Sequence, residues 1–282
     1  MSKDLNFHDE FSIETRRDRY PRLITISHKI TNMLGKQFPG AVPLIFVSGF
    51  PRSGTTWCAQ VLADYFQLPF PQLSALPLGF PAILHGHEPI TLKNRYAVYV
   101  VRDGRDVMVS LYLHFYKRYS AHDGGIWKKK FAHMFPAGAS RENMREMLPV
   151  FIEANMTKPR ASKLSWPDHV SRYFELESAR YPLVKFEDML ATGANTLSDT
   201  ITSLSGAPAE QSRIERTLQK YSFESQKNFK PDESNKGSGI AGGWLEYFSA
   251  ESAEIFGFYA NDQLIRLGYE ESSDWSSLCV SL

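Results

Sequence analysis

Leu44-Ile45-Phe46-Val47-Ser48-Gly49-Phe50-Pro51-Arg52-Ser53-Gly54-Thr55-Thr56-Trp57 is the stretch that decides how this chain is read. The unbroken apolar run Leu44 to Val47 predicts a strand covered on both faces. From Gly49 the spacing Gly-x-x-x-x-Gly-Thr-Thr is that of a phosphate-binding loop with Thr55 in place of the usual lysine. Such a loop works because glycine lets the backbone approach an anion that the next helix's N-terminus attracts. The missing lysine argues against an ordinary ATP or GTP enzyme. Arg52 supplies charge inside the loop instead, and Trp57 offers a flat face suited to a purine. For a bare glycine pair, an incidental strand-turn-helix is an equal alternative; Arg52, Thr55, Thr56 and Trp57 together weigh against it.

Around this stretch, composition sets bounds. The chain has 282 residues, 43% hydrophobic and 13% aromatic, enough for a packed core in one large domain. We read residues 1–282 as a single domain with 1–20 as an irregular arm. A net charge of +1, from 32 basic and 31 acidic residues, gives no electrostatic case for a nucleic-acid partner. Cys58 and Cys279 are too few for a disulfide framework or a zinc site, and no run long and apolar enough for a membrane span or signal peptide occurs. The expectation is a cytoplasmic protein without a membrane anchor.

Helical spacing follows the loop over Thr55 to Phe66, so that helix's N-terminus faces the bound phosphate. Pro69, Pro71, Pro77 and Pro81 make Leu68 to Pro81 an extended segment. Ala82 to Pro89 reads as a short strand on which His85 and His87 point the same way. Two histidines with Glu88 suggest either satisfied structural residues or a metal, and the set lacks the further ligands of a metal site. Tyr96 to Val101 is a strand and Asp106 to Tyr116 a helix, which puts Arg102 at a strand's carboxyl end, where doubly wound sheets gather ligands, and Ser110 on the helix after it. Arg105 with Asp106 reads as a helix-start charge pair. Arg141 to Met156 is helical with an interruption at Pro149, and Pro167 and Asp168 suit a helix start at Trp166. Tyr181 to Phe186 reads as a buried strand and Pro208 to Tyr221 as a helix. Lys128-Lys129-Lys130 is most simply a solvated face, with Phe131 and Phe135 near enough to help line an acceptor site. Aromatic residues around Tyr112, His114, Phe115 and Tyr116 suit either a pocket or helix packing.

Phe50-Pro51-Arg52-Ser53-Gly54-Thr55-Thr56-Trp57 resembles the 5′-phosphosulfate loop of sulfotransferases that use 3′-phosphoadenosine 5′-phosphosulfate (PAPS). Arg102-Asp103-Gly104-Arg105-Asp106-Val107-Met108-Val109-Ser110 is similar to that family's second signature. The resemblance implies a P-loop-like three-layer α/β sandwich with a central parallel sheet flanked by helices. It implies that Arg102 and Ser110 hold the 3′-phosphate, and that His87 is the catalytic base, since His87-Glu88-Pro89 matches half of the family's Lys-x-His-x-Pro; His85 stands where the lysine would be. His169, in Trp166-Pro167-Asp168-His169-Val170, resembles a structural histidine of the family. Phe186-Glu187-Asp188-Met189 resembles Tyr-Glu-Asp-Met, and Phe223 resembles a purine contact paired with Trp57. Lys236-Gly237, in a glycine-rich loop ending at Trp244, resembles a closing 3′-phosphate grip with two extra residues.

The implied activity is sulfuryl transfer from PAPS to a hydroxyl or amine of a small-molecule acceptor, leaving adenosine 3′,5′-bisphosphate (PAP). His87 takes the acceptor's proton and Arg52 balances charge on the leaving phosphate, with no metal required. The expected donor-binding set is Arg52, Ser53, Gly54, Thr55, Thr56, Trp57, Arg102, Ser110, Phe186, Phe223, Lys236 and Gly237. A P-loop kinase-like phosphotransferase and a non-catalytic nucleotide-binding protein are the alternatives. The dimer motif of animal cytosolic members is missing from Leu245 to Glu254, so oligomeric state does not follow.

Overall fold

In the computed structural model, described over residues 21–71, 81–121, 125–176, 180–222 and 241–279, the decisive stretch forms strand β1 (Leu44–Ser48), a tight loop and helix α2 (Thr55–Phe66). Helix α1 (Pro21–Gln37) precedes them. Strands β2 (Ala82–Gly86), β3 (Tyr96–Val101) and β4 (Leu183–Lys185) complete a four-stranded sheet of order β2-β1-β3-β4 in which every paired neighbour is parallel.

Adjacent residues of each strand go to opposite sides of this sheet, and both sides are buried. Phe46, Leu84, Tyr99 and Val101 join one apolar cluster, whereas Val47, Ile83, Val98 and Val100 join another. The first face is covered by α3 (Gly104–Tyr119), α5 (Met144–Thr157), α6 (Trp166–Phe174) and α10 (Ala250–Arg266). The second is covered by α2, α7 (Phe186–Ala191), α8 (Gly193–Ser205) and α9 (Gln211–Lys220). Two covered faces explain why the strands read as continuous apolar runs, and they make the architecture the expected three-layer α/β sandwich. A short helix α4 (Gly125–Phe131) stacks outside α3.

Because β1 lies between β2 and β3, the chain leaves its carboxyl end on one side and returns on the other. That is a topological switch point, where open parallel sheets bind ligands. Each strand end delivers one residue of interest: Gly49 after β1, His87 after β2, Arg102 after β3 and Phe186 after β4. Gly49 is required by close approach, since a Cβ there would lie 2.2 Å from the Val100 carbonyl oxygen.

Several boundaries differ from expectation. Helix α3 starts at Gly104 because the Asp103 carboxylate caps the Arg105 N–H at 2.9 Å. Phe186 is the first residue of α7 and not the end of a strand. Pro149 lies inside α5 without ending it, as burial of Leu148, Phe151 and Ile152 holds the turns on either side. The arm 1–20 and most of the proline-rich segment fall outside the described residues. Cys58 and Cys279 are buried and unbridged. Among the described residues no helix is long and apolar enough to cross a membrane.

Candidate active site

The loop between β1 and α2 is shaped by two left-handed residues, Arg52 at φ 75° and Gly54 at φ 88°. Left-handed residues within a turn are the local geometry from which anion-binding nests are built, and for arginine that conformation costs about 1 kcal/mol. Gly54 has no latitude: a Cβ would meet the Phe186 ring at 2.6 Å. Thr55, the first residue of α2, is buried, and Thr56 is exposed at the helix N-terminus. The Ser53 hydroxyl is fully buried and has no hydrogen-bond partner among the described residues.

His87 follows β2 and is held on both sides of its peptide. Its Nδ1–H donates to the Gly49 carbonyl at 2.9 Å, which leaves Nε2 with a lone pair. Its own carbonyl accepts from His169 Nε2 at 3.2 Å, and the next carbonyl, of Glu88, accepts from the Ser48 hydroxyl at 2.5 Å. Burial lowers the His87 pKa, the bond to Gly49 opposes that, and the Arg52 and His28 charges lower it further. The ring is therefore a neutral base at neutral pH. His85, predicted to share its face, lies 6.3 Å away between ring centroids; burial, with His87 and His28 nearby, pushes its pKa down to about 4. His169 is fully buried and accepts from the Tyr99 hydroxyl at Nδ1, 2.8 Å away.

Across the loop, Arg52 Nε donates to the Ser110 hydroxyl at 2.9 Å, linking the phosphate loop to α3. Arg102 is buried with its guanidinium 4.8 Å from the centre of the Phe186 ring, and it pairs with Asp106 at 3.9 Å. Trp57 meets Phe186 edge-to-face at 5.8 Å, and its Nε1–H is fixed on the Tyr221 carbonyl at 2.8 Å. Arg52, Gly54, Thr55, Thr56, Trp57, His87, Arg102 and Phe186 line one cavity of about 590 Å³. Ser53 and Ser110 lie behind that lining, Ser110 reaching it through Arg52. Phe223, Lys236 and Gly237 lie outside the described residues.

The cavity has no aspartate or glutamate among its described lining residues, whereas Arg52, Arg102, Arg118, Lys130 and Arg160 all line it. Burial, and after it the Arg102 and Arg118 charges, push the Arg52 pKa below the ordinary arginine value. An anion there relieves that repulsion, so the residues present fit a phosphorylated donor. Among the described residues no group of three histidine, cysteine, aspartate or glutamate side chains could hold a metal ion.

A family model described as the sulfotransferase domain matches residues 80–268, more than half of the chain. The chain belongs to the sulfotransferase domain family. The matched span begins after the phosphate loop, so the loop and the match are separate indications. Sulfotransferase 1A1 of Bos taurus is 24% identical over 259 residues, covering 75% of this chain and 80% of that relative. Sulfotransferase 1A1 of Mus musculus is 26% identical over 179 residues, covering 51% and 54%. Among solved structures, mouse sulfotransferase SULT7A1 complexed with PAP aligns with a TM-score of 0.60 at 18% identity, over 86% of this chain and 94% of that one. Retinol dehydratase in complex with androsterone and inactive cofactor PAP aligns at 0.57 and 16% identity, covering 85% of each chain.

Within this sulfotransferase domain the pair Arg105 and Asp106 is more than a helix-start pair. Arg105 is buried, donates to Asp103 at 2.7 Å and to Glu270, and lies 3.9 Å from the Trp244 ring centre. Asp106 accepts from the Gly242 and Trp244 N–H groups, both at 2.9 Å, so it anchors the end of the predicted glycine-rich loop. Sequence reasoning missed this network because Trp244 and Glu270 lie far along the chain. It also passed over Arg118, Trp127 and Arg160, which join the cavity lining from three different segments. Lys130 and Phe131 line the cavity, whereas Phe135 is buried among Tyr112 and Phe151. Of the aromatic cluster on α3, His114 and Phe115 reach the cavity; Tyr112 is buried in the core with its hydroxyl on Ser140.

Proposed function

We propose that this chain, acting as one domain over residues 1–282 in the cytoplasm, is a PAPS-dependent sulfotransferase. It moves a sulfuryl group to a hydroxyl or amine of a small-molecule acceptor and releases PAP. The single observation that carries the reading is that His87, with its Nε2 lone pair left open by the bond to Gly49, lines the same cavity as Arg52 and the phosphate loop.

In the reaction, the acceptor heteroatom bonds to sulfur as the bond from sulfur to the 5′-phosphate oxygen breaks. The acceptor's proton passes to His87 Nε2, a step worth about two to four orders of magnitude in rate. Charge building on the leaving phosphate oxygen is met by the Arg52 guanidinium and by Thr55 and Thr56 at the start of α2. Arginine is permanently charged here, so it stabilises the leaving group without giving it a proton. Ser53, Gly54, Ser110 and Arg102 would hold the donor's phosphates, with Lys236 and Gly237 closing over the 3′-phosphate. Trp57, Phe186 and Phe223 would enclose the adenine. Lost hydrogen bonding at Phe186, where the family has tyrosine, costs about 1 kcal/mol. No metal is needed, because the group transferred has the character of neutral SO₃.

The test is ligand protection against heat. PAP at a hundredfold excess over its Kd stabilises by about 2.7 kcal/mol, and more than ATP with Mg²⁺ at equal concentration. Stronger protection by ATP with Mg²⁺ overturns the reading in favour of a phosphotransferase.

A further inference from the structure

Helix α1 is built inside out. Among its described side chains the two that are buried are polar, Thr31 at 2% and Asn32 at 6% exposure, and Asn32 donates to the Glu88 carboxylate at 3.1 Å. Lys36 also turns inward, its ammonium 5.7 Å from the centre of the Phe46 ring. The outward face is apolar: Leu23, Ile26, Ile30 and Met33, at spacing i, i+3, i+7, i+10, are 63%, 52%, 41% and 53% exposed. A helix that only covers a core has the opposite arrangement. The four residues form a stripe roughly 15 Å long, and none of them lines either of the two cavities that His87 borders.

Charge decides what covers this stripe. The helix carries Arg22, Lys29 and Lys36 and no aspartate or glutamate. Arg22 and Lys29 are exposed and follow one edge of the stripe. Two copies paired through this face would bring together two basic helices with no acid on either to match them, which weighs against a dimer. A helix of low net hydrophobicity, apolar on one exposed side, edged by cations and too short and polar to span, has the pattern of one that lies in the interface of an anionic bilayer.

We infer that the outer face of α1 docks the protein reversibly on an anionic lipid surface, with Leu23, Ile26, Ile30 and Met33 entering the headgroup boundary and Arg22 and Lys29 meeting lipid phosphates. The same helix edges a second cavity, which His28 and Lys36 line together with His87 and with Leu92, itself 56% exposed. Docking through α1 therefore holds a cavity that reaches His87 within about 10 Å of the bilayer, the diameter of a helix.

The experiment is co-sedimentation of the full chain with vesicles of phosphatidylcholine alone or with about one-third phosphatidylserine, at several ionic strengths. Partition onto the anionic vesicles exceeds that onto the neutral ones by at least about tenfold and falls as salt is raised, since each exposed cation near such a surface is worth about fivefold. Arg22→Gln/Lys29→Gln brings the two vesicle types to near parity. Ile26→Ser/Ile30→Ser lowers binding to the anionic vesicles by about tenfold. Both variants change exposed side chains, so the melting temperature and the Kd for PAP stay as in the unmodified chain. Equal partition onto both vesicle types, or none onto either, overturns the inference. So does anionic binding that the serine variant leaves unchanged, because contact is then bulk charge alone. A dimer in solution that the serine variant dissociates, in a chain that binds no vesicles, assigns the face to a second copy and overturns it too.

Discussion

The His87 ring is tied through Nδ1 to the carbonyl of Gly49, 2.9 Å away, so the residue that opens the phosphate loop also sets the tautomer of the base. Lowering of the His87 pKa by burial, and secondarily by Arg52, has a kinetic consequence. The acid limb of kcat/KM, which reports the free enzyme, falls below the ordinary imidazole value of 6.5. Activity is therefore retained as pH drops through that value and is lost only on further acidification. A limb centred above it, measured with saturating acceptor excess removed, contradicts the assignment.

His169 acts through His87 and not on substrate. It donates to the His87 carbonyl and accepts from Tyr99, so His169→Phe removes both bonds and leaves the Tyr99 hydroxyl buried without its acceptor. The expected result is a fall in kcat of about tenfold, the scale of a small misplacement of a catalytic group, with the Kd for PAP within twofold. A packing role alone would lower stability and leave kcat of the folded protein unchanged.

Gly54→Ala meets two obstacles at once, a left-handed backbone at φ 88° and the Phe186 ring 2.6 Å from the new Cβ. Displacing Phe186 also disturbs Trp57 and Arg102, which it touches. The expected cost is about 1 to 3 kcal/mol of stability, read by denaturant titration, together with at least about tenfold weaker PAP binding. Thr56→Ala, exposed in the first turn of α2, is the control that keeps stability.

Acid should destabilise the fold before carboxylates titrate. The His169 pKa is pushed from 6.5 to about 4, chiefly by burial, so between these values the unfolded chain binds a proton that the native chain does not. Stability is then full above 6.5 and falls as pH drops toward 4, by about 3 kcal/mol for this group at the lower end. Denaturant titrations across that range check this. His169→Phe should flatten the slope.

Much of the fold was legible because its decisive elements are local. Helix α2 and strand β3 have the predicted bounds and β1 runs one residue past the predicted Leu44 to Val47, since a buried parallel strand needs only an apolar run and a loop needs only its glycines. The start of α3 is readable from Asp103 as a cap, two residues before the expected start at Asp106. Helix α1 was obscured by mixed apolar and polar spacing, and several of its apolar residues, Leu23 and Met33 among them, are exposed. The pair Arg105 and Asp106 reads as no more than a helix-start charge pair in the sequence because its partners Trp244, Glu270 and Gly242 are remote along the chain. The same reason hid part of the cavity lining: Arg118, Lys130 and Arg160 mean nothing separately until α3, α4 and the segment after α5 converge. Lys130 in particular belongs to a lysine run that otherwise suits a solvated face.

The central claim, that His87 draws a proton from an acceptor attacking PAPS, is tested most directly by PAP release from PAPS with an accepted substrate, in the presence of EDTA, comparing the unmodified chain with His87→Ala. The account predicts metal-independent turnover and a loss of at least about a hundredfold in kcat for the variant, with PAP still bound. Undiminished turnover by His87→Ala, or turnover abolished by EDTA, would contradict it.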